Sequence, residues 1–195
     1  MSKRSKSSEV SDKLADLASL SISTQGLWME SSAVNSADLP ADPLFGEQEN
    51  LFSRASASPG TVNINVAPVW ALGYSGKGVS IGVYDTAMDV GHVDLSSNVV
   101  INKKIKGGNA TLISEKGDEH ATSVAGIIAA ARNGEGVVGI AHDAKVTPIN
   151  IFDDAQRDSS YVWTVLKQQT LFHITNHSWS FTGAFAANPL IAEYA

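Results

Sequence analysis

The order of the apolar segments constrains this sequence more than any other feature, because they alternate between strand-like and helix-like texture. Val79 to Tyr84 (VSIGVY) is a short β-branched run entered from Ser75-Gly76-Lys77-Gly78, the pattern of a buried strand. His120 to Arg132 (HATSVAGIIAAAR) places Val124, Ile127, Ile128 and Ala131 at i, i+3, i+4 and i+7, one stripe of a helix, with Asn133-Gly134 as its stop. Lys145 to Phe152 reads as a second strand, Ser159 to Gln169 as a second helix and Phe172 to Asn176 as a third strand. This alternation predicts βαβ units and a mostly parallel sheet, an α/β fold. There is no internal repeat.

Bulk properties exclude several functions. At 195 residues and 43% hydrophobic content the chain can bury one core and is too short for two full domains. A net charge of -6 gives no basic footprint for nucleic acid, whose phosphates require clustered Lys and Arg. No cysteine is present, so disulfides, thiolate nucleophiles and Cys-type zinc sites are all excluded. No stretch reaches the roughly 18 to 20 apolar residues of a membrane-spanning helix. The basic start, Met1 to Lys6, runs into Glu9, Asp12, Lys13 and Asp16 and does not have the pattern of a signal peptide. Residues 1–43 are rich in Ser, Asp and Ala and are expected to be a flexible tail, with Val10, Leu14, Leu17 and Leu20 the only hint of a short amphipathic helix. The domain proper is expected over 44–195.

In parallel sheets, ligands gather outside the carboxyl ends of the strands. Three polar features fall there: Asp85 after the first strand, Asp153 after the second, and Asn176 to Ser180 after the third. His120 opens the crossover helix from the same rim. A fixed carboxylate beside an imidazole is two parts of a system that activates a nucleophile: the acid holds one tautomer and stabilises the imidazolium, while the other ring nitrogen takes a hydroxyl proton. Each residue also has a plainer role open to it, since an Asp after a strand commonly ends a loop and Asn-Gly commonly caps a helix. Asp85, His92, Asp94, Asp118, Glu119 and His120 could also be drawn as a metal-ligand cluster of a metal-dependent hydrolase.

The surrounding segments carry a resemblance. Tyr84-Asp85-Thr86-Ala87 followed by His92-Val93-Asp94-Leu95 resembles the catalytic-Asp region of the subtilisin family of serine peptidases, and His120-Ala-Thr-Ser-Val-Ala-Gly126 resembles its catalytic-His motif. Val138-Gly139-Ile140-Ala141 and Ala144-Lys145-Val146 match the next strand. Asp42-Pro43-Leu44-Phe45, Asn63 to Val66, Val69-Trp70, Gly73 to Val79 and Ser178-Trp179 are similar to the kexin and furin branch. The resemblance runs from about residue 42 to 182.

It implies a three-layer subtilisin-like fold, incomplete at the carboxyl end, and a serine-type endopeptidase acting on peptides or proteins. Asp85 would orient His120, the general base. Ser178, Trp179 and Ser180 would form the edge that pairs with an extended substrate, and Asp153 would face a basic substrate side chain two positions before the cleaved bond. Asp94 and Asn133 would help to hold a structural calcium ion through oxygen donors. Family members are mostly secreted or lumenal. In the family an oxyanion-hole Asn in a Gly-Asn context and a nucleophilic Gly-Thr-Ser follow the His motif, and neither occurs between His120 and Ala195. The chain by itself is therefore expected to be inactive, and the alternative role is a peptide-binding or non-functional relative. Ala87 and Ala121 stand where Gly is usual, raising the question of backbone strain, Ser180 replaces a Gly on the substrate-binding edge and is expected to narrow access, and Glu49 stands where Trp is common.

Overall fold

The computed structural model describes residues 39–51, 63–102, 104–105, 119–152 and 159–180. Three parallel strands form the sheet: β1 (Ser80–Asp85) lies between β2 (Lys145–Asn150) and β3 (Ile174–Asn176). Ser80 pairs with Lys145 and Ile81 with Ile174, so the strands start level and their carboxyl ends share one rim. Helix α1 (Ala67–Ala71) precedes β1, α2 (His120–Ala129) crosses from β1 to β2, and α3 (Ser159–Leu166) lies between β2 and β3.

The period of two in β1 separates the layers. Ile81 and Val83 point into a core closed by Ala121, Ala125 and Ala129 of α2, with Met88, Leu95, Ala144 and Val146. Tyr84, on the alternate face, packs with Ile149, Tyr161, Val162, Val165 and Leu166, the buried face of α3. Gly82 shares the Tyr84 side, where a Cβ would meet the rings of Phe172 and Tyr84 at 2.7 and 2.9 Å. A sheet covered on both faces is the arrangement that near-continuous apolar strands predict.

Pro148 stands inside β2, where a missing N–H is tolerated only at an edge. Val146 exchanges bonds with the segment around Val99 on the side away from β1. Residue 148 presents its nitrogen to that same outer side, beyond the bridge, so the proline costs the sheet no bond.

Two expectations are corrected. The helix stripe Val124, Ile127, Ile128, Ala131 is only in part the buried face of α2: Val124 and Ile128 pack at the margin of the core, Ala121, Ala125 and Ala129 form its centre, and Ile127 is 55% exposed. A helix lying this close to two strands fits small side chains against them and turns the larger ones to its flanks. The helix also ends at Ala129, before Asn133-Gly134, because Ala130 is extended (φ -54, ψ 132) and the Ala131 N–H is taken by the Asp94 carbonyl at 2.7 Å.

Residues 39–43 fall within the compact unit Ser36–Ala195 and make firm contacts. Arg132 donates to the Leu39 carbonyl, and Asp42 is buried against the 131–137 loop. The short helix expected around Val10 to Leu20 lies outside the described residues.

Candidate active site

Asp85 is the last residue of β1 and, by alternation, shares the face of Ile81 and Val83 that α2 covers. Its side chain therefore meets the first residue of that helix. Asp85 Oδ1 lies 2.8 Å from His120 Nδ1 and also accepts the Thr86 N–H at 2.7 Å. The carboxylate is 1% exposed, whereas the His120 side chain is 54% exposed. With Nδ1 held by the buried acid, the ring nitrogen left for chemistry is Nε2.

The next residue ties the pair together. Thr86 Oγ1 accepts the Ala121 N–H at 3.3 Å, and Thr122 Oγ1 accepts the Asp89 N–H at 2.9 Å. The first turn of α2 has no side-chain cap of its own from Glu119, so these threonines take up the bonds that fix the helix start to the loop after β1. Sequence reasoning missed this coupling, although a Thr directly after the Asp and another two residues after the His were its visible signal.

Ala87 and Ala121 are buried, and Ser180 is exposed. Asn65 (φ 47) is the only non-glycine with positive φ among the described residues, so none of the three replacements strains the backbone.

The segment after β3 returns to the same rim. Ser178 and Ser180 are exposed, and Ser178 Oγ donates to Asn176 Oδ1 at 2.9 Å. Trp179 instead turns inward: its Nε1–H donates to the Tyr84 carbonyl at 2.7 Å, one residue before Asp85, and its ring meets Phe152 edge-on. Asp153 lies outside the described residues. Burial pushes the Tyr84 phenol well above the usual tyrosine range.

A second polar centre lies on the loop after α2. Asp42 Oδ1 accepts the N–H groups of Asn133 and Gly134, both at 3.1 Å, and Asp94 Oδ2 accepts the Val137 N–H at 3.1 Å. Asn133 Nδ2 donates to the Val93 carbonyl, beside Asp94. The other oxygens, Asp42 Oδ2 and Asp94 Oδ1, are buried with no partner in the described structure, although the two side chains belong to residues only 4% and 3% exposed. Two buried carboxylates, each with an orphan oxygen, bonded to one loop are donors of the kind a hard cation takes, while the Asn133 Oδ1 accepts the Glu135 N–H at 2.9 Å. Sequence reasoning singled out Asp94 and Asn133 and missed Asp42, whose Asp-Pro context reads equally as a turn. Among the described residues no three His, Cys, Asp or Glu side chains gather where they could hold a metal ion, so any cation here would lean on two carboxylates together with amide and carbonyl oxygens. His92 Nδ1 accepts the Asp94 N–H at 3.2 Å, and His120 is engaged with Asp85.

The subtilase family profile matches residues 76–189, more than half of the chain, and the chain belongs to that family. It is 32% identical over 145 residues to a probable subtilase-type serine protease of Deinococcus radiodurans, covering 62% of this chain and 20% of that protein. It is 33% identical over 151 residues to human neuroendocrine convertase 2, covering 72% of this chain and 24% of the convertase. Among solved structures, the serine protease of Aeromonas sobria in complex with its chaperone superposes with a TM-score of 0.62 at 28% identity, over 74% of this chain and 26% of the protease. The chain thus spans about a quarter or less of the length of these relatives. The subtilisin-like α/β fold expected from the sequence is the one observed.

Proposed function

We propose that this chain supplies the orienting acid and the general base of a serine-type endopeptidase site. The observation that carries the reading is the 2.8 Å contact between buried Asp85 Oδ1 and His120 Nδ1. A serine hydroxyl placed at His120 Nε2 would lose its proton to that nitrogen as it attacks the scissile carbonyl. The imidazolium, stabilised by Asp85, would pass the proton to the leaving amine, and water would then release the acyl group by the same route. The 195 residues contain no Gly-Thr-Ser, so His120 has no motif serine to activate within them.

The substrate is a peptide in extended form, lying along Ser178 to Ser180 by strand addition. Similarity to a convertase and the Ser178-Trp179 motif favour the kexin and furin branch, in which Asp153 would meet a basic side chain. Calcium, held by Asp94 and Asn133 with Asp42 as a third donor, would tie the 131–137 loop to the turn after β1 and so brace α2, with no part in the bond cleavage.

The test is a polypeptide that continues from residue 195 into a Gly-Thr-Ser segment of the family. It is expected to hydrolyse a fluorogenic peptide and to be labelled at that serine by an organophosphonate, while the 195-residue chain does neither. Cleavage that resists the phosphonate but stops with a transition-metal chelator would overturn the reading in favour of a metallohydrolase.

A further inference from the structure

The segment after β3 is held to β1 by rings. The His177 imidazole stacks on the Tyr84 ring, with centroids 4.7 Å apart and planes at 23°. Trp179 meets His177 in an edge arrangement at 5.5 Å and donates its Nε1–H to the Tyr84 carbonyl. Phe172 closes against Tyr84 at 6.2 Å and Phe152 against Trp179 at 6.0 Å. His177 Nε2 is buried in this stack with no hydrogen-bond partner in the described structure.

We propose that His177 is a positioning residue for the Ser178–Ser180 edge, and that it seats this edge only while its imidazole is neutral. The inference rests on the reading of Ser178–Ser180 as the substrate-binding edge. Its physical basis is the surroundings of the ring. A protonated imidazole would place a charged N–H where, among the described residues, no acceptor bonds to it, and burying an uncompensated cation is far more costly than burying the neutral ring.

Among the described residues, the groups packed around His177 offer no compensation. From β1 there is the Tyr84 phenol, which burial keeps in its neutral form. From the loop there are its chain neighbours Asn176 and Ser178 and the Trp179 ring, and beyond Tyr84 and Trp179 lie Phe172 and Phe152, all uncharged. Asp85 follows Tyr84 in β1 but points to the opposite face and is engaged by His120. The attraction of a cation for the Tyr84 ring face is too weak to replace lost hydration.

Burial accordingly lowers the His177 pKa. Above the ordinary histidine value of about 6.5 the seated and released edges are both neutral and the seat is fully formed. Below that value the released form takes up a proton that the seated form refuses. The balance then shifts toward release, by at most about tenfold per pH unit, until the lowered pKa is reached.

The experiment is hydrogen exchange of the 195-residue chain at about pH 7.5 and about pH 5, corrected for intrinsic chemical rates and read by mass spectrometry. In the wild type, protection of 174–180 is expected to fall severalfold more than that of β1 at the lower pH. In His177→Phe, which keeps the stack and cannot titrate, the two segments should fall equally. A pH-driven loss in His177→Phe as large as in the wild type overturns the proposal, as does a wild type in which both segments change alike. If the Phe variant does not fold, the wild-type comparison of the two segments decides alone.

Anisotropy of a labelled extended peptide separates the two readings. Binding that weakens at low pH in the wild type and not in His177→Phe supports both. A peptide that binds at neither pH, with exchange behaving as expected, removes the substrate edge and leaves the seat established.

Discussion

The indole N–H of Trp179 and the carbonyl oxygen of Tyr84 are 2.7 Å apart, a bond between residues 95 positions distant in sequence. It joins the exposed edge of Ser178 and Ser180 to the strand that ends in Asp85, so that edge is held one residue from the carboxylate that engages His120.

Trp179→Phe keeps a ring against Phe152 and His177 but removes this donor from a partly buried carbonyl. The expected cost is about 1–2 kcal/mol of stability, the usual consequence of orphaning one partner. Urea denaturation followed by far-ultraviolet circular dichroism reads it. A variant as stable as the parent would mean that the bond contributes nothing to seating the segment.

Calcium should act on stability first. Adding about a millimolar calcium to the chelator-treated chain is expected to raise Tm by several degrees, and Asp94→Asn or Asp42→Asn should abolish the rise. Calcium that stabilises both variants as it does the wild type would place any ion elsewhere.

Two glycines of this region should respond oppositely to alanine. Gly126 lies within α2 with open space around it, so Gly126→Ala is expected to gain about 0.5–1 kcal/mol. A Cβ at Gly139 would run into the backbone of Ala129 and Ala130, so Gly139→Ala should cost about 3 kcal/mol. Thermal melts of the pair check the close approach of the 137–141 segment to the end of α2.

His142 predicts a loss of stability with mild acid. It is buried edge-on to Trp70 with Nδ1 unpartnered, and burial, aided by Arg132, holds its pKa below the ordinary value despite the opposing pull of Asp143 and Asp42. Above about pH 6.5 both folded and unfolded forms are neutral; below it the unfolded chain binds the proton first and stability declines until the lowered folded pKa is passed. Denaturation midpoints at about pH 7.5 and 5.5 should therefore differ, and His142→Gln should reduce the difference. His177 contributes in the same direction, so the double variant should flatten it further.

Much of this was legible in the sequence, for physical reasons that differ by element. The strand runs 79–84 and 145–152 are apolar on both faces and match β1 and β2 within two residues, because a strand covered on both sides can be little else. Asp85 and His120 could be placed at one rim from topology alone, since a parallel crossover must begin where the first strand ends. The buried face of α2 was legible only in part, through Val124 and Ile128. Hydrophobicity ranks Ile127 above Ala125, but the approach of helix to sheet selects for size, and only the packing shows which requirement prevails at each position. Asp42 escaped notice because its role depends on a loop about 90 residues away. The ring stack at His177 depends on pairing of β1 with β3, which no local pattern encodes.

The most direct test of the catalytic pair is kinetic, in a chain extended through the Gly-Thr-Ser segment and assayed for kcat/KM on an extended peptide. Asp85→Asn and His120→Ala are each expected to lower turnover by about 10³ to 10⁶, and the double variant by little more than the worse single one, because the two act as a unit. Variants that retain turnover within a few-fold of the parent, or whose losses multiply independently, would contradict the assignment of Asp85 and His120 as one proton-transfer device.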